Sequence, residues 1–214
     1  MSISLLIPSR GKPKVLKAAI CSLLNTADKK HTLEFIIKLD DGDIAHTEYF
    51  DEIVPINFSN ITIKTTPKED GWKSLGKFFN DLAQHSMGQW LWVLNDDIEM
   101  KTQGWDEIIQ SFEDKPCVIN PHGQGLTLFP IVNRKFYNIL ERIGLDENPH
   151  VDTYLQDVSG GSNTLIRTDK INIQHLKSHP ESGYGETSTH YYSKEIQDLV
   201  KKDIEKIKNY LTTM

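Results

Sequence analysis

Short apolar runs alternate along the chain with apolar residues spaced for one face of a helix. Ile3 to Ile7 is a strand-like run stopped by Pro8, and Pro13 suits the first turn of a helix. The apolar positions Val15, Leu16, Ala19, Ile20, Leu23 and Leu24 then fall on a single helical face. Leu33 to Leu39 reads as a second strand and Ile61 to Thr66 as a third. Trp72, Leu75, Phe78, Phe79, Leu82 and Ala83 mark a second amphipathic helix. Trp90 to Leu94 is apolar on both faces, as a central parallel strand must be. Further on, helices are expected around Trp105–Phe112, Phe136–Ile143 and Val151–Val158, with a short strand at Cys117–Asn120. Thr164–Arg167 and Ile171–Gln174 read as two late strands, expected to pair antiparallel. The terminal Lys/Glu-rich stretch carries an apolar stripe through Ile196, Leu199, Val200, Ile204, Ile207 and Leu211. This alternation predicts an α/β fold: a mostly parallel, Rossmann-like central sheet flanked by helices, ending in a C-terminal amphipathic helix.

Composition narrows the reading. The 214 residues are 38% hydrophobic and 25% charged, which suits a globular domain and excludes wholesale disorder. A net charge of −6 provides no bulk basic surface, so nucleic acid is not an expected partner. No apolar run approaches the roughly 20 residues of a membrane helix. The first residues lack the basic region and cleavage site of a signal peptide, and Cys21 and Cys117 sit in apolar contexts without metal-type spacing. The expectation is a cytoplasmic protein with reduced cysteines.

The candidate chemistry lies in where the acids fall. The second strand runs into Asp40-Asp41-Gly42-Asp43, and Trp90–Leu94 runs into Asn95-Asp96-Asp97. Ligands of an open parallel sheet bind at the carboxyl ends of its strands, so both clusters are expected at one crevice. Crowded carboxylates need a compensating cation, and an oxygen-preferring ion such as Mn²⁺ or Mg²⁺ fits. The competing reading is turn chemistry, since Asp-Gly is a turn signal.

From about Ile3 to His175 the chain resembles nucleotide-sugar-dependent glycosyltransferases of the GT-A fold, most closely family-2-like enzymes. Ile3–Arg10 is similar to the opening strand and nucleotide-facing turn of that family. Leu39-Asp40-Asp41-Gly42-Asp43 resembles its Val-Asp-Asp-Gly-Ser segment, with Asp43 in place of Ser. Asn95-Asp96-Asp97 resembles the metal-binding Asp-x-Asp motif, with Asn95 in place of the first Asp. Gly104-Trp105-Asp106 matches the Gly-Trp that opens the next helix. His150-Val151-Asp152 occupies the place of a Glu-Asp pair whose Asp is the base of inverting members, with Val151 in place of Glu. Ile173-Gln174-His175 resembles a late strand ending in a His near the metal.

The resemblance implies transfer of a sugar from a nucleoside-diphosphate sugar to an acceptor hydroxyl, the acceptor being an unidentified glycan, lipid or protein. It implies a metal held by Asp97, Asp96 and His175, and a donor lined by Pro8, Ser9, Arg10, Asp40, Asp41, Lys73, Asn95 and Asp96. Asp152 is implied as the general base of an inverting displacement. Plainer readings stand beside these: a helix cap for Asp152, a satisfied strand-end histidine for His175, a solvated lysine for Lys73, and core packing for Trp105. A sugar-nucleotide nucleotidyltransferase and a non-catalytic nucleotide- or sugar-binding module remain as alternatives. One catalytic domain is expected over residues 1–192, with a nucleotide-binding half to about 100 and an acceptor half from about 101. A mobile loop is expected at 176–192, carrying Tyr184, Tyr191 and Tyr192, with the terminal helix at 193–214.

Overall fold

A computed structural model describes residues 1–69, 71–125, 127–176 and 193–213. Four parallel strands form one side of the main sheet: β1 (Ile3–Pro8), β2 (Leu33–Asp40), β3 (Ile61–Thr66) and β4 (Trp90–Val93). With β6 (Val118–Asn120), β7 (Ile131–Asn133) and β8 (Leu165–Arg167) they make a seven-stranded sheet in the order β3-β2-β1-β4-β7-β6-β8. Only β7 runs against its neighbours. A second sheet pairs β5 (Ile98–Met100) antiparallel with β9 (Ile173–His175). The two late strands are therefore not partners of each other. β8 extends the main sheet beside β6, and β9 crosses back to the strand that follows Asp97.

The pleat sorts the core into two layers. Ile3, Leu5, Ile7, Phe35, Ile37, Trp90 and Trp92 face one way, and Leu6, Ile36, Leu91 and Val93 face the other. The first layer is covered by α1 (Pro13–Thr26), α2 (His46–Ile53) and α4 (Trp105–Gln110). The second is covered by α3 (Leu75–Gln84), α5 (Arg134–Leu140), α6 (Val151–Gly161) and α7 (Lys194–Thr212). The expected apolar faces of α1 and α3 are the buried ones, although Trp72 precedes α3 in a 3-10 turn and is exposed. α2 escapes the periodicity because only one residue per turn is buried: Ala45, Tyr49 and Ile53, spaced by four.

Trp105 is fully buried, its ring 5.0 Å from that of Trp92 and its indole N–H on the Leu23 carbonyl at 3.1 Å. It is a core residue, as its plainer reading expects. Gly104 before it has φ +70°, and a Cβ there would come within 2.6 Å of the Asp28 carboxylate, so the Gly-Trp pair is a backbone requirement of α4.

α7 docks where α6 has no side chains. A Cβ on Gly161 would sit 2.5 Å from Ile204. Inside this contact Asp203 is fully buried and accepts a hydrogen bond from the Tyr154 hydroxyl at 2.7 Å. No helix among the described residues is long and apolar enough to cross a membrane.

Candidate active site at the carboxyl ends of the strands

Parallel pairing of β2, β1 and β4 delivers Asp40, the Pro8–Ser9–Arg10 turn and Asn95–Asp97 to one edge. The start of α6 reaches the same edge. β8 is parallel to β6, and α6 returns antiparallel into β8, so its first turn lies at the carboxyl ends. The Gly76 amide, at the beginning of α3, donates to the Asn148 carbonyl at 3.0 Å and ties the α6 entry to that edge.

The β1 and β2 ends are cross-linked. The carboxylate of Asp40 receives the Arg10 guanidinium on one oxygen and the Lys38 ammonium on the other. Lys38 is buried, its nitrogen 3.6 Å from the centre of the Phe78 ring, and burial pulls its pKa below the ordinary lysine value. Arg10 also donates to the Glu69 carbonyl at 3.1 Å. In this structure the Arg10 fork, implied to line the donor, braces Asp40 and the Glu69 carbonyl. Asp41 and Lys73 are exposed.

Asp43, in the place of the family serine, is a structural linker. One oxygen accepts from the Gly11 amide at 2.8 Å and the other from the Ala45 amide at 2.9 Å, joining the turn after β1 to the start of α2. Ser9 is buried and meets the Tyr49 hydroxyl at 2.9 Å and the Asp96 carboxylate at 2.6 Å. Sequence reasoning missed Lys38 and Tyr49. The signals available were a lysine inside an otherwise apolar strand and the four-residue spacing of α2.

The two acids after β4 diverge. Asp96 turns to Ser9, while Asp97 is buried and its Oδ1 lies 3.0 Å from His175 Nε2. The β5–β9 register sets Ile98 opposite His175, and the Leu176 amide donates to the Asp97 carbonyl at 2.8 Å. The Asn95 side-chain amide is 3.4 Å from the same imidazole nitrogen. Among the described residues no group of three His, Cys, Asp or Glu side chains gathers closely enough to hold an ion. The Asp97–His175 pair nevertheless fits two adjacent corners of an octahedron, whose ligands lie about 3 Å apart when the bonds are about 2.1 Å. Water and substrate oxygens complete such a sphere.

Asp152 is the second residue of α6, and the capping position belongs to His150. Its Oδ1 accepts from the Thr153 amide at 2.8 Å, and burial pushes its pKa up. Beside it the Asn148 side-chain nitrogen is buried without a hydrogen-bond partner. The 121–130 loop is tied to α6 through Thr127, whose amide and hydroxyl both donate to Gln156 at 2.7 and 2.9 Å. Within it His122 Nε2 is also buried and unpartnered. The His122 ring lies 5.9 Å from Phe129, which meets His175 edge-on at 5.5 Å. Of the loop expected at 176–192, all but Leu176 lies outside the described residues, as do its three tyrosines.

A family model described as glycosyl transferase family 2 matches residues 4–178. No curated protein matches the chain. Among solved structures, S. aureus TarS 1–349 in complex with UDP-GlcNAc superposes with a TM-score of 0.69 at 14% identity, covering 95% of this chain and 66% of that one. The same TarS fragment without ligand gives 0.67 at 14% identity, covering 95% and 65%. The mannosyltransferase PcManGT from Pyrobaculum calidifontis, in complex with GDP-Man and Mn²⁺, gives 0.68 at 8% identity, covering 85% and 58%. These likenesses establish the GT-A fold, and the chain spans less than two thirds of each of these structures.

Proposed function

Because this chain belongs to glycosyl transferase family 2, we propose that it transfers a sugar from a nucleoside-diphosphate sugar to an acceptor hydroxyl, by direct displacement with inversion. The observation that carries the reading is the Asp97–His175 pair at 3.0 Å, set at the strand edge that also receives the start of α6. The neighbours bound to UDP-GlcNAc and to GDP-Man with Mn²⁺ support a UDP- or GDP-linked donor.

Asp97 and His175 are the residues that hold a divalent ion, and an imidazole in the set favours Mn²⁺ over Mg²⁺. Such an ion supplies charge neutralisation for the departing diphosphate. The nucleoside lies over the ends of β1 and β2, with Pro8, Ser9 and the Asp40–Arg10 brace beneath it and exposed Asp41 and Lys73 at the rim. Asp96 faces the nucleotide side through Ser9. Asp152 takes the proton of the acceptor hydroxyl as that oxygen attacks the anomeric carbon. Its raised pKa makes it a better proton acceptor than a solvated aspartate.

Incubation with Mn²⁺ and a panel of UDP- and GDP-sugars tests the proposal. Release of nucleoside diphosphate, lost on adding a chelator and lost in Asp97→Ala, is the expected result. Release of pyrophosphate, or tight binding with no turnover of any donor, overturns it.

A further inference from the structure

The fold directs one hydroxyl of α2 into this site through a second hydroxyl in the turn after β1. The Tyr49 side chain is fully buried, and its oxygen lies 3.0 Å from the Lys12 amide nitrogen and 2.9 Å from Ser9 Oγ. Ser9 Oγ in turn lies 2.6 Å from Asp96 Oδ2. Chemistry fixes every proton in this chain. An ionised carboxylate only accepts, so the single Ser9 proton goes to Asp96. Ser9 must then accept from Tyr49, and Tyr49 accepts from the Lys12 N–H, which only donates. Protons therefore run one way: Lys12 amide, Tyr49 hydroxyl, Ser9 hydroxyl, Asp96 carboxylate. Burial also raises the Tyr49 pKa, which keeps the phenol protonated and a donor. The last link, at 2.6 Å, has the length of a charge-assisted O–H···O⁻ bond.

We propose that Tyr49 and Ser9 form a strut that holds the Asp96 carboxylate on the nucleotide side of the crevice, apart from the Asp97–His175 pair. Tyr49 is thus a positioning residue for donor binding that touches neither metal nor substrate. The proposal rests on the donor reading above. It adds what keeps Asp96 on the nucleotide side while Asp97 serves the ion. The Tyr49 end of the strut is fixed, since α2 is clasped to the turn after β1 by Asp43 and to α1 by the Lys17–Glu52 ion pair at 2.7 Å. A loosened strut weakens the Ser9 hydrogen bond that orients Asp96, and the loss falls on nucleotide affinity.

The test compares Tyr49→Phe and Ser9→Ala with the unaltered protein in two titrations: Mn²⁺ alone, followed by its electron paramagnetic resonance, and UDP or GDP at saturating Mn²⁺, followed by calorimetry. Tyr49→Phe removes one oxygen from a packed ring and so keeps the fold even if Ser9→Ala does not. Nucleotide binding is expected to weaken about fivefold in Tyr49→Phe and about tenfold in Ser9→Ala, the scale of one lost intramolecular hydrogen bond. Affinity for Mn²⁺ alone stays within about twofold, a split that general structural damage does not produce. Unchanged nucleotide binding in folded variants overturns the inference and leaves the donor reading intact. A matching fall in Mn²⁺ affinity overturns it too, because Asp96 is then a metal ligand. Failure of both nucleotides to bind the unaltered protein overturns the donor reading and this inference together.

Discussion

The two sides of the crevice are built to opposite rules. At the ends of β1 and β2 the charged side chains already have protein partners: Asp40 holds Arg10 and Lys38, Asp43 holds two amides, and Ser9 links Tyr49 to Asp96. Around the start of α6 the pairing is sparse. Asp152 is desolvated and accepts from the amide and hydroxyl of its neighbour Thr153, while Asn148 Nδ2 and His122 Nε2 are buried without hydrogen-bond partners. A cross-linked side suits a ligand that is the same in every turnover, because prepaid order lowers the entropy lost on binding. On the proposed function, the desolvated carboxylate on the sparsely paired side is the one that takes the acceptor's proton. The comparison breaks if substitutions on the two sides affect the same kinetic constant.

The largest expected effect comes from Asp97, which sits between the two sides. Asp97→Ala is expected to lower metal-dependent release of nucleoside diphosphate by on the order of 10³. A thermal unfolding scan should show the fold retained, since β4 and β5 keep their pairings. Residual activity that still responds to Mn²⁺ would remove Asp97 from the ion's ligand set.

Next is Asp152→Asn, which sharpens the contrast by striking only the acceptor side. Turnover is expected to fall by about 10²–10⁴ with the donor KM unchanged, the scale of a lost general base. Burial raises the pKa of Asp152, so the acid limb of kcat/KM in the unaltered enzyme is expected above the ordinary aspartate value of about 3.9 and disappears in the variant. The sign for stability is opposite. A protonated Asp152 favours the folded state, and that contribution is lost as pH rises through its elevated folded pKa. At neutral pH the buried charge is a cost, and the neutral amide is expected to leave the melting temperature equal or higher.

Lys38→Met strikes the donor side through stability first. It strips one cation from Asp40 inside a buried cluster while Arg10 remains, at an expected cost of about 2–3 kcal/mol. Chemical denaturation reads the loss, and a weaker donor affinity with an intact kcat for bound donor places the cluster on the nucleotide side.

How much of this asymmetry is legible in the sequence follows from its physics. Strands β1, β2 and β4 carry apolar runs, and Asp40, Asp96 and Asp97 adjoin the runs of β2 and β4 along the chain, so the amino-acid order alone locates the crevice. It does not say which acid does what, because the answer lies in side-chain direction. Asp96 and Asp97 are neighbours, yet one turns to β1 and the other to β9. The partners that decide it, Tyr49 and the β5–β9 pairing, come from an eight-residue helix with one buried position per turn and from three-residue strands, all too short for periodicity to speak. The late strands stand out as apolar runs while their pairing does not, for the same reason: a run of three residues gives no register.

The smallest effect concerns how α6 is held. Asp203 is fully buried in α7, with Tyr154 donating to it at 2.7 Å and the Arg142 guanidinium more distant at 3.7 Å. Tyr154 stands two residues beyond Asp152 on the same helix, so this bond is part of what holds the helix that carries the proposed base. Tyr154→Phe removes the hydroxyl and leaves the buried carboxylate short of a donor, which is expected to cost about 1–2 kcal/mol in denaturant unfolding. Asp203→Leu should cost less, because losing the buried charge offsets the lost bond. If the bond is the whole of the coupling, the double variant is no less stable than Tyr154→Phe alone. A kcat that falls in both single variants while the donor KM holds would place α7 on the acceptor side of the division. A fall in donor affinity instead would show that the two sides are mechanically one.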